Sequence, residues 1–321
     1  MPSRPDRNEN GPRPTALAGS ARVESPKGGG RALSYALHLL YLHARSLLHN
    51  APASGNVSAQ FVFLGTGTSH GVPLIGCGCE VCTSPNPKNR RTRCAAVLGL
   101  PGGNLLIDSP PELRIQLVRE GVGRIHAVLY THAHADHLFG LDDLRIFPRY
   151  LGHDLPVYCE PHVEDHIRRS FRYAFDPETR RFPAGGVPRL AFRPITTEPF
   201  DVLGAHVVPV RLKHGRSRVL GFRFGGLAYC TDTREIPAHS MSLLADLDVL
   251  ILDCLRREPH ATHLSLDEAV EVATRLAPKR TLLTHLSHRL EHEATRRELP
   301  PGIDLAYDGL RIPLPIERGR P

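Results

Sequence analysis

Thr131-His132-Ala133-His134-Ala135-Asp136-His137-Leu138-Phe139-Gly140 is the stretch on which the reading of this chain turns. It follows the apolar run Ala127-Val128-Leu129-Tyr130, which has the length and composition of a buried strand, and Leu138 to Leu141 begins a helix. Three imidazoles and one carboxylate therefore leave a single strand-to-helix turn. Imidazole is the commonest ligand of zinc-like ions, and carboxylate supplies the negative charge that a multiply cationic site needs. A lone histidine at a strand end is usually packed or solvated, whereas four donors within six residues are poorly explained by packing. The spacing divides into two pairs, His132 with His134 and Asp136 with His137, and two pairs imply two neighbouring metals.

Outward from this turn, the texture is of short β-type runs ending in small or polar residues. Phe61-Val62-Phe63-Leu64 runs into Gly65-Thr66-Gly67-Thr68, and Leu105-Leu106-Ile107 ends at Asp108. Further strands are predicted at 205–210, 219–224, 227–230, 248–252 and 281–284, with helices at 111–120, 161–171, 237–245 and 265–276. Strands outnumber helices and several follow one another directly. That pattern predicts a mixed, largely antiparallel pair of sheets covered by helices. No internal repeat stands out.

Residues 1–58 differ from this body. The first 30 or so are rich in Pro, Gly, Ser and Arg and read as disordered, and Leu33, Leu37, Leu40, Ala44 and Leu47 then predict one amphipathic helix at 31–49. The expectation is a peripheral extension at 1–58 and a catalytic body at 59–321. The net charge of +7 divides accordingly: residues 1–58 hold seven Lys/Arg against three Asp/Glu, and the body holds 33 against 30. A nearly balanced body argues against a broad phosphate-neutralising face, so nucleic acid is not the expected partner. With 41% apolar and 23% charged residues the composition suits a globular core, and no stretch has the roughly 20 apolar residues of a membrane span. The N-terminus lacks the apolar core of a secretory signal, which makes the cytoplasm the expected compartment. Seven cysteines, an odd number, fit reduced thiols and metal ligation better than disulfides.

The run His132-Ala133-His134-Ala135-Asp136-His137 resembles the signature of the metallo-β-lactamase superfamily, and the resemblance extends from about Gln60 to Leu310. It implies an α/β fold, an αββα sandwich of two mixed β-sheets flanked by helices, with metals at one edge. It also implies further ligands from later strands: His214 in Leu212-Lys213-His214-Gly215, Asp232 after Leu227 to Thr231, and His285 after Thr281 to Thr284. The implied sets are His132, His134 and His214 for one metal and Asp136, His137 and His285 for the other, with Asp232 shared. Two divalent cations about 3.5–4 Å apart lower the pKa of a bridging water and stabilise charge on an attacked phosphorus or carbonyl. The hydroxide so formed makes a nucleophilic side chain unnecessary. Asp136 and His263 are the residues assigned to catalysis.

Cys77-Gly78-Cys79-Glu80-Val81-Cys82 offers three thiols at a spacing that suits one tetrahedral structural zinc, with His288 as the expected fourth ligand. Together with the loop Gly65 to Pro73 and the His285/His288 pair, this cluster resembles the phosphodiesterase branch of the superfamily, typified by phosphoribosyl 1,2-cyclic phosphate phosphodiesterase. The resemblance implies opening of a small cyclic or phosphorylated diester, zinc or manganese at the centre, and a non-ligand histidine in the loop Pro259 to Leu266. His263 is the closer match for a general acid and His260 the reserve. Arg211, Lys213, Arg216 and Arg218 surround His214 and are either phosphate contacts or a solvated loop; a homodimer is left open. Three rivals remain: the tRNA 3′-end processing nuclease of the same fold, a lactamase or thioesterase, and a non-catalytic metal-binding module.

Overall fold

Along the first strand, Phe61 and Phe63 face one way and Val62 and Leu64 the other, and all four are fully buried. A strand buried on both faces reads as a continuous apolar run rather than an alternation. The computed structural model describes residues 57, 59–180 and 186–314, which lie in one compact unit, Ser54–Pro321. The helix expected at 31–49 lies outside the described residues. Val57, which composition grouped with the extension, is buried and donates its backbone N–H to Asn104 Oδ1 at 2.8 Å.

The first sheet holds β1 (Gln60–Gly65), β2 (Ala95–Leu100), β3 (Gly103–Ile107), β4 (Ala127–Leu129), β5 (Leu155–Cys159) and β6 (Leu190–Pro194). The second holds β7 (Phe200–Val202), β8 (Ala205–His214), β9 (Ser217–Phe224), β10 (Leu227–Cys230), β11 (Val249–Asp253), β12 (Arg280–Thr284) and β13 (Ile303–Leu305). β14 (Arg311–Pro313) returns to the first sheet beside β1, giving orders β14-β1-β2-β3-β4-β5-β6 and β13-β12-β11-β10-β9-β8-β7. An apolar layer of Phe61, Phe63, Leu105, Ile107, Leu220, Phe222, Ile251 and Leu282 joins the sheets. Helices cover the outer faces, so the architecture is an αββα sandwich.

The expectation of largely antiparallel sheets needs correction. Among the described strands the pairings divide evenly, and each sheet has three antiparallel pairs followed by three parallel ones. The parallel half was hidden because β5 carries Pro156 and β13 is only three residues long. Crossovers through the helices Leu113–Arg119, Pro161–Ser170, Leu266–Leu276 and His292–Glu298 bring successive strands back in the same direction. The two sheets thus repeat one topology that no sequence repeat announces. β2 escaped notice through its Ala-Ala pair and Gly99, and Gly99 is required: a Cβ there would lie 1.5 Å from the Val57 carbonyl oxygen. The helix expected at 237–245 shrinks to Ala238–Ser242. That at 265–276 runs Leu266–Leu276 behind a capping box of Ser265 and Glu268.

Candidate metal centre

The parallel strands all end at one edge of the sandwich, and the donors gather there. β4 delivers the turn to His132 and His134, and the short helix Ala135–Leu138 carries Asp136 and His137. Its position is stitched by Ser109 N–H to the His137 carbonyl at 2.7 Å and Gly140 N–H to the Ser109 carbonyl at 2.8 Å. Gly140 permits this approach, since a Cβ would lie 2.0 Å from the Pro110 carbonyl oxygen. His214 ends β8, Asp232 follows β10 and His285 follows β12.

Two donor groups result, each with its ligand atoms within 4.8 Å of one another: His132, His134, His214 and Asp232, and Asp136, His137, His285 and Asp232. Asp232 belongs to both. Its Oδ1 lies 4.0 Å from His132 Nε2 and 3.4 Å from His285 Nε2, and its Oδ2 lies 3.1 Å from His137 Nε2. The Nε2 atoms of His132, His137 and His285 are buried without a hydrogen-bond partner. Buried imidazole nitrogens left bare around carboxylates are costly unless a cation takes them, so the donor set fits divalent metal binding.

The far sides of the rings are secured. His137 Nδ1 lies 2.8 Å from Asp108 Oδ2, and His214 Nδ1 donates to the Thr262 carbonyl at 2.8 Å. Asp108 also accepts from the backbone and hydroxyl of Thr131. These contacts leave Nε2 of each ring as the free donor atom. Asp253 plays the same part in the second sheet: its carboxylate accepts from Asp232 N–H at 3.2 Å and Leu264 N–H at 3.1 Å, and lies 3.1 Å from His263 Nδ1 and 3.5 Å from His285 Nδ1. Asp108, Asp232 and His285 have φ of 62°, 52° and 61°. Left-handed backbone in non-glycine residues costs of order 1–3 kcal/mol and clusters at functional sites.

Neither Asp108 nor Asp253 was singled out from sequence, although each closes a matching run, Leu105-Leu106-Ile107-Asp108 and Leu250-Ile251-Leu252-Asp253. That recurrence was the available signal. His263 is buried, with its ring 4.5 Å from those of His285 and His214; His260 stands farther out, 5.4 Å from His263. Of the four cations read as either phosphate contacts or a solvated loop, two are engaged with acids, Arg211 in a two-pronged pair with Glu160 at 2.6 and 2.7 Å and Lys213 with Glu235 at 2.7 Å.

The cysteines form a separate cluster. His288 Nδ1 lies 3.4 Å from the sulfurs of Cys77 and Cys79 and 3.7 Å from that of Cys82. A tetrahedral zinc with bonds of about 2.3 Å to sulfur and about 2.0 Å to nitrogen separates such atoms by about 3.5–3.8 Å, so the residues fit that ion. The loop 284–290 carrying both His285 and His288 is fastened by Arg91, a fully buried cation that donates to the carbonyls of Ser287 at 2.8 Å and Leu290 at 2.7 Å. Cys94, Cys159, Cys230 and Cys254 are buried in the body away from this cluster.

Residues 103–286 match the β-lactamase superfamily domain. The chain belongs to the metallo-β-lactamase superfamily. Within it, a solved diphosphatase from the PhnP family is 42% identical, with a TM-score of 0.73 over 79% of this chain and 96% of that one. An octanoyltransferase of Porphyromonas gingivalis is 37% identical over 253 residues, 78% of this chain and 50% of that protein, so the chain spans about half that relative's length. Ribonuclease Z of Geobacillus kaustophilus is 26% identical over 318 residues, 80% of this chain and 99% of the enzyme. Superfamily membership and the donor clusters both support a metal-dependent hydrolase. Among the described residues no helix is long and apolar enough to cross a membrane.

Proposed function

We propose that this superfamily member is a phosphodiesterase that opens a small cyclic or phosphorylated diester. The observation that carries the reading is Asp232, a buried carboxylate placed between two imidazole sets in which the Nε2 atoms of His132, His137 and His285 lack partners. His132, His134 and His214 would hold one divalent cation and Asp136, His137 and His285 a second, with Asp232 common to both. Such a pair supplies an activated water and stabilises charge on the attacked phosphorus. Zinc and manganese both suit the donor set, and a structural zinc suits Cys77, Cys79, Cys82 and His288.

The protein's own contribution is to aim and to move a proton. Asp108 and the Thr262 carbonyl hold His137 and His214 in the tautomer that presents Nε2. Asp253 accepts from Nδ1 of His263, which leaves Nε2 of that ring to protonate the departing alkoxide. A second reading, a nuclease, is favoured by the full-length match to ribonuclease Z. One panel tests both: metal analysis with hydrolysis of bis-(p-nitrophenyl) phosphate, a 2′,3′-cyclic nucleotide, a tRNA precursor, a β-lactam and a thioester. Turnover confined to the two small phosphodiesters is expected. Selective cleavage of the precursor would replace the reading with the nuclease, and turnover of the last two alone would end both.

A further inference from the structure

Only Leu286 and Ser287 separate His285, of the histidine–aspartate cluster, from His288, of the cysteine cluster. Every backbone polar group of that pair is taken. Leu286 donates to the Thr66 carbonyl at 2.8 Å and accepts from the Thr68 N–H at 3.2 Å. Ser287 donates to the Leu255 carbonyl at 3.0 Å and accepts from Arg91 Nη1 at 2.8 Å. His285 itself stands at φ 61°, a left-handed backbone that residues other than glycine seldom adopt. A segment pinned at four points behind such a residue has little slack, so a shift of one imidazole is passed to the other rather than absorbed.

Arg91 grips both sides of this arrangement. Through its backbone it exchanges two hydrogen bonds of 2.8 Å with Val72, which packs with Cys82 in the small apolar group of the cysteine loop. Leu74, two residues on, donates its N–H to the Cys82 sulfur at 3.3 Å. Through its side chain Arg91 holds the carbonyls of Ser287 and Leu290. The guanidinium is fully buried, and its acceptors are the carbonyls of Lys88, Ser287 and Leu290 and the amide oxygen of Asn89, none of them a carboxylate. Burial brings its pKa down to about 10, which leaves it charged at neutral pH. For packing alone an apolar side chain of similar volume is the less costly choice. What the guanidinium adds is a rigid planar fork that reaches several carbonyls at once, where a lysine offers one point charge.

We propose that Arg91 is a positioning residue through which the two clusters are energetically coupled: a metal ion on the three thiols and His288 tightens the hold of the histidine–aspartate cluster on divalent metal. Linkage makes the effect reciprocal, so metal at the second cluster tightens the first by the same factor.

The test reads metal binding on the full chain, stripped of metal with a chelator. One equivalent of cadmium, a soft ion that thiolates favour, is seated on the cysteines and its place checked by the thiolate charge-transfer absorption. Manganese, a harder ion suited to the carboxylate-bearing cluster, is then titrated with and without the cadmium, and the free ion is followed by electron paramagnetic resonance. Cadmium should tighten manganese binding by at least about fivefold, the low end of ordinary coupling between sites. Arg91→Lys keeps the charge but not the fork, and should bring that factor close to one. Arg90→Gln, at the exposed neighbouring position, should leave it as in the wild type. Cadmium should also slow hydrogen exchange at the Leu286 and Ser287 amides of the wild type, a reading that stands even if Arg91→Lys fails to fold. A factor near one in wild-type protein that binds both ions overturns the coupling. A factor that survives in Arg91→Lys, or amides that exchange equally fast with and without cadmium, overturns the route through Arg91. Protein that binds neither ion would instead end the metal reading on which the proposal rests.

Discussion

The histidine–aspartate cluster and the cysteine cluster share one loop, through His285 and His288, yet they are held in opposite ways. Every donor of the first stands at a sheet edge, and most are backed by a second polar group. Their charges are balanced internally. Burial alone would strip the proton from His137, but Asp232, Asp136 and Asp108 outweigh it and hold the imidazolium far above its ordinary range. Burial likewise works against the charge on Asp232, and His137 and His285 overcome it. The cysteine cluster has no carboxylate and rests on a small apolar group, Val72, Val81 and Cys82. There the Cys82 backbone N–H and the His288 ring bring Cys79 down to about 6, against its partial burial, while burial pushes Cys82 up to about 11. One site is braced by carboxylates and backbone groups of the sheet edge; the other gathers its three thiols around a single imidazole.

The largest effect should come from Asp232→Ala. It removes the one carboxylate common to both donor groups, so hydrolysis should vanish and catalytic metal content should fall while about one zinc stays with the cysteines. Unchanged stoichiometry and turnover would dissolve the distinction between the clusters. Next is His263→Ala, expected to slow a substrate with an alkoxide leaving group by about 10²–10⁴-fold, with a much smaller loss on a p-nitrophenolate leaving group and no loss of metal. Equal losses on the two substrates would remove His263 from proton transfer.

Asp253→Asn probes preorganisation, because it weakens the group that orients His263, His285 and the Asp232 backbone. A loss of about 10- to 100-fold in activity or metal affinity is expected, as for other groups that orient ligands. A variant with wild-type kinetics and metal content would show that the sheet edge is rigid without it. Cys79→Ser addresses the other side of the comparison. It should cost about one zinc per chain and lower the melting temperature by several degrees, since metal binding there contributes to folding. Retained zinc and melting temperature would mean that the thiols are ordered without an ion.

The smallest effect is a pH dependence of the metal-free protein. Burial opposes the charge on His285, but Asp232 and Asp136 prevail and raise it from 6.5 to about 9. A raised pKa means stability that is complete below about 6.5 and lost as pH climbs through about 9. The melting temperature of metal-free protein should therefore decline across that window, and bound divalent metal, which replaces the proton, should abolish the decline. A flat profile without metal would contradict the picture of a cluster balanced by its own charges.

The sequence by itself determined which donors exist and in what order: four in one turn after β4, then His214, Asp232 and His285, with three thiols set apart. That information is local, because each donor closes an apolar run whose length marks a strand. It also specified eight of the fourteen described strands, and missed β2 with its Gly99, β5 with its Pro156, β6, and the three-residue strands β7, β13 and β14. Only the tertiary structure decided that the parallel strands end at one edge, and so that residues about 150 apart in the chain, His132 and His285, meet at a single carboxylate. It alone turned Asp108 and Asp253 from strand-end residues into the supports of His137 and His263. It also paired Arg211 and Lys213 with acids. Such outcomes depend on which distant chains pack together, and no local pattern of residue types encodes that packing.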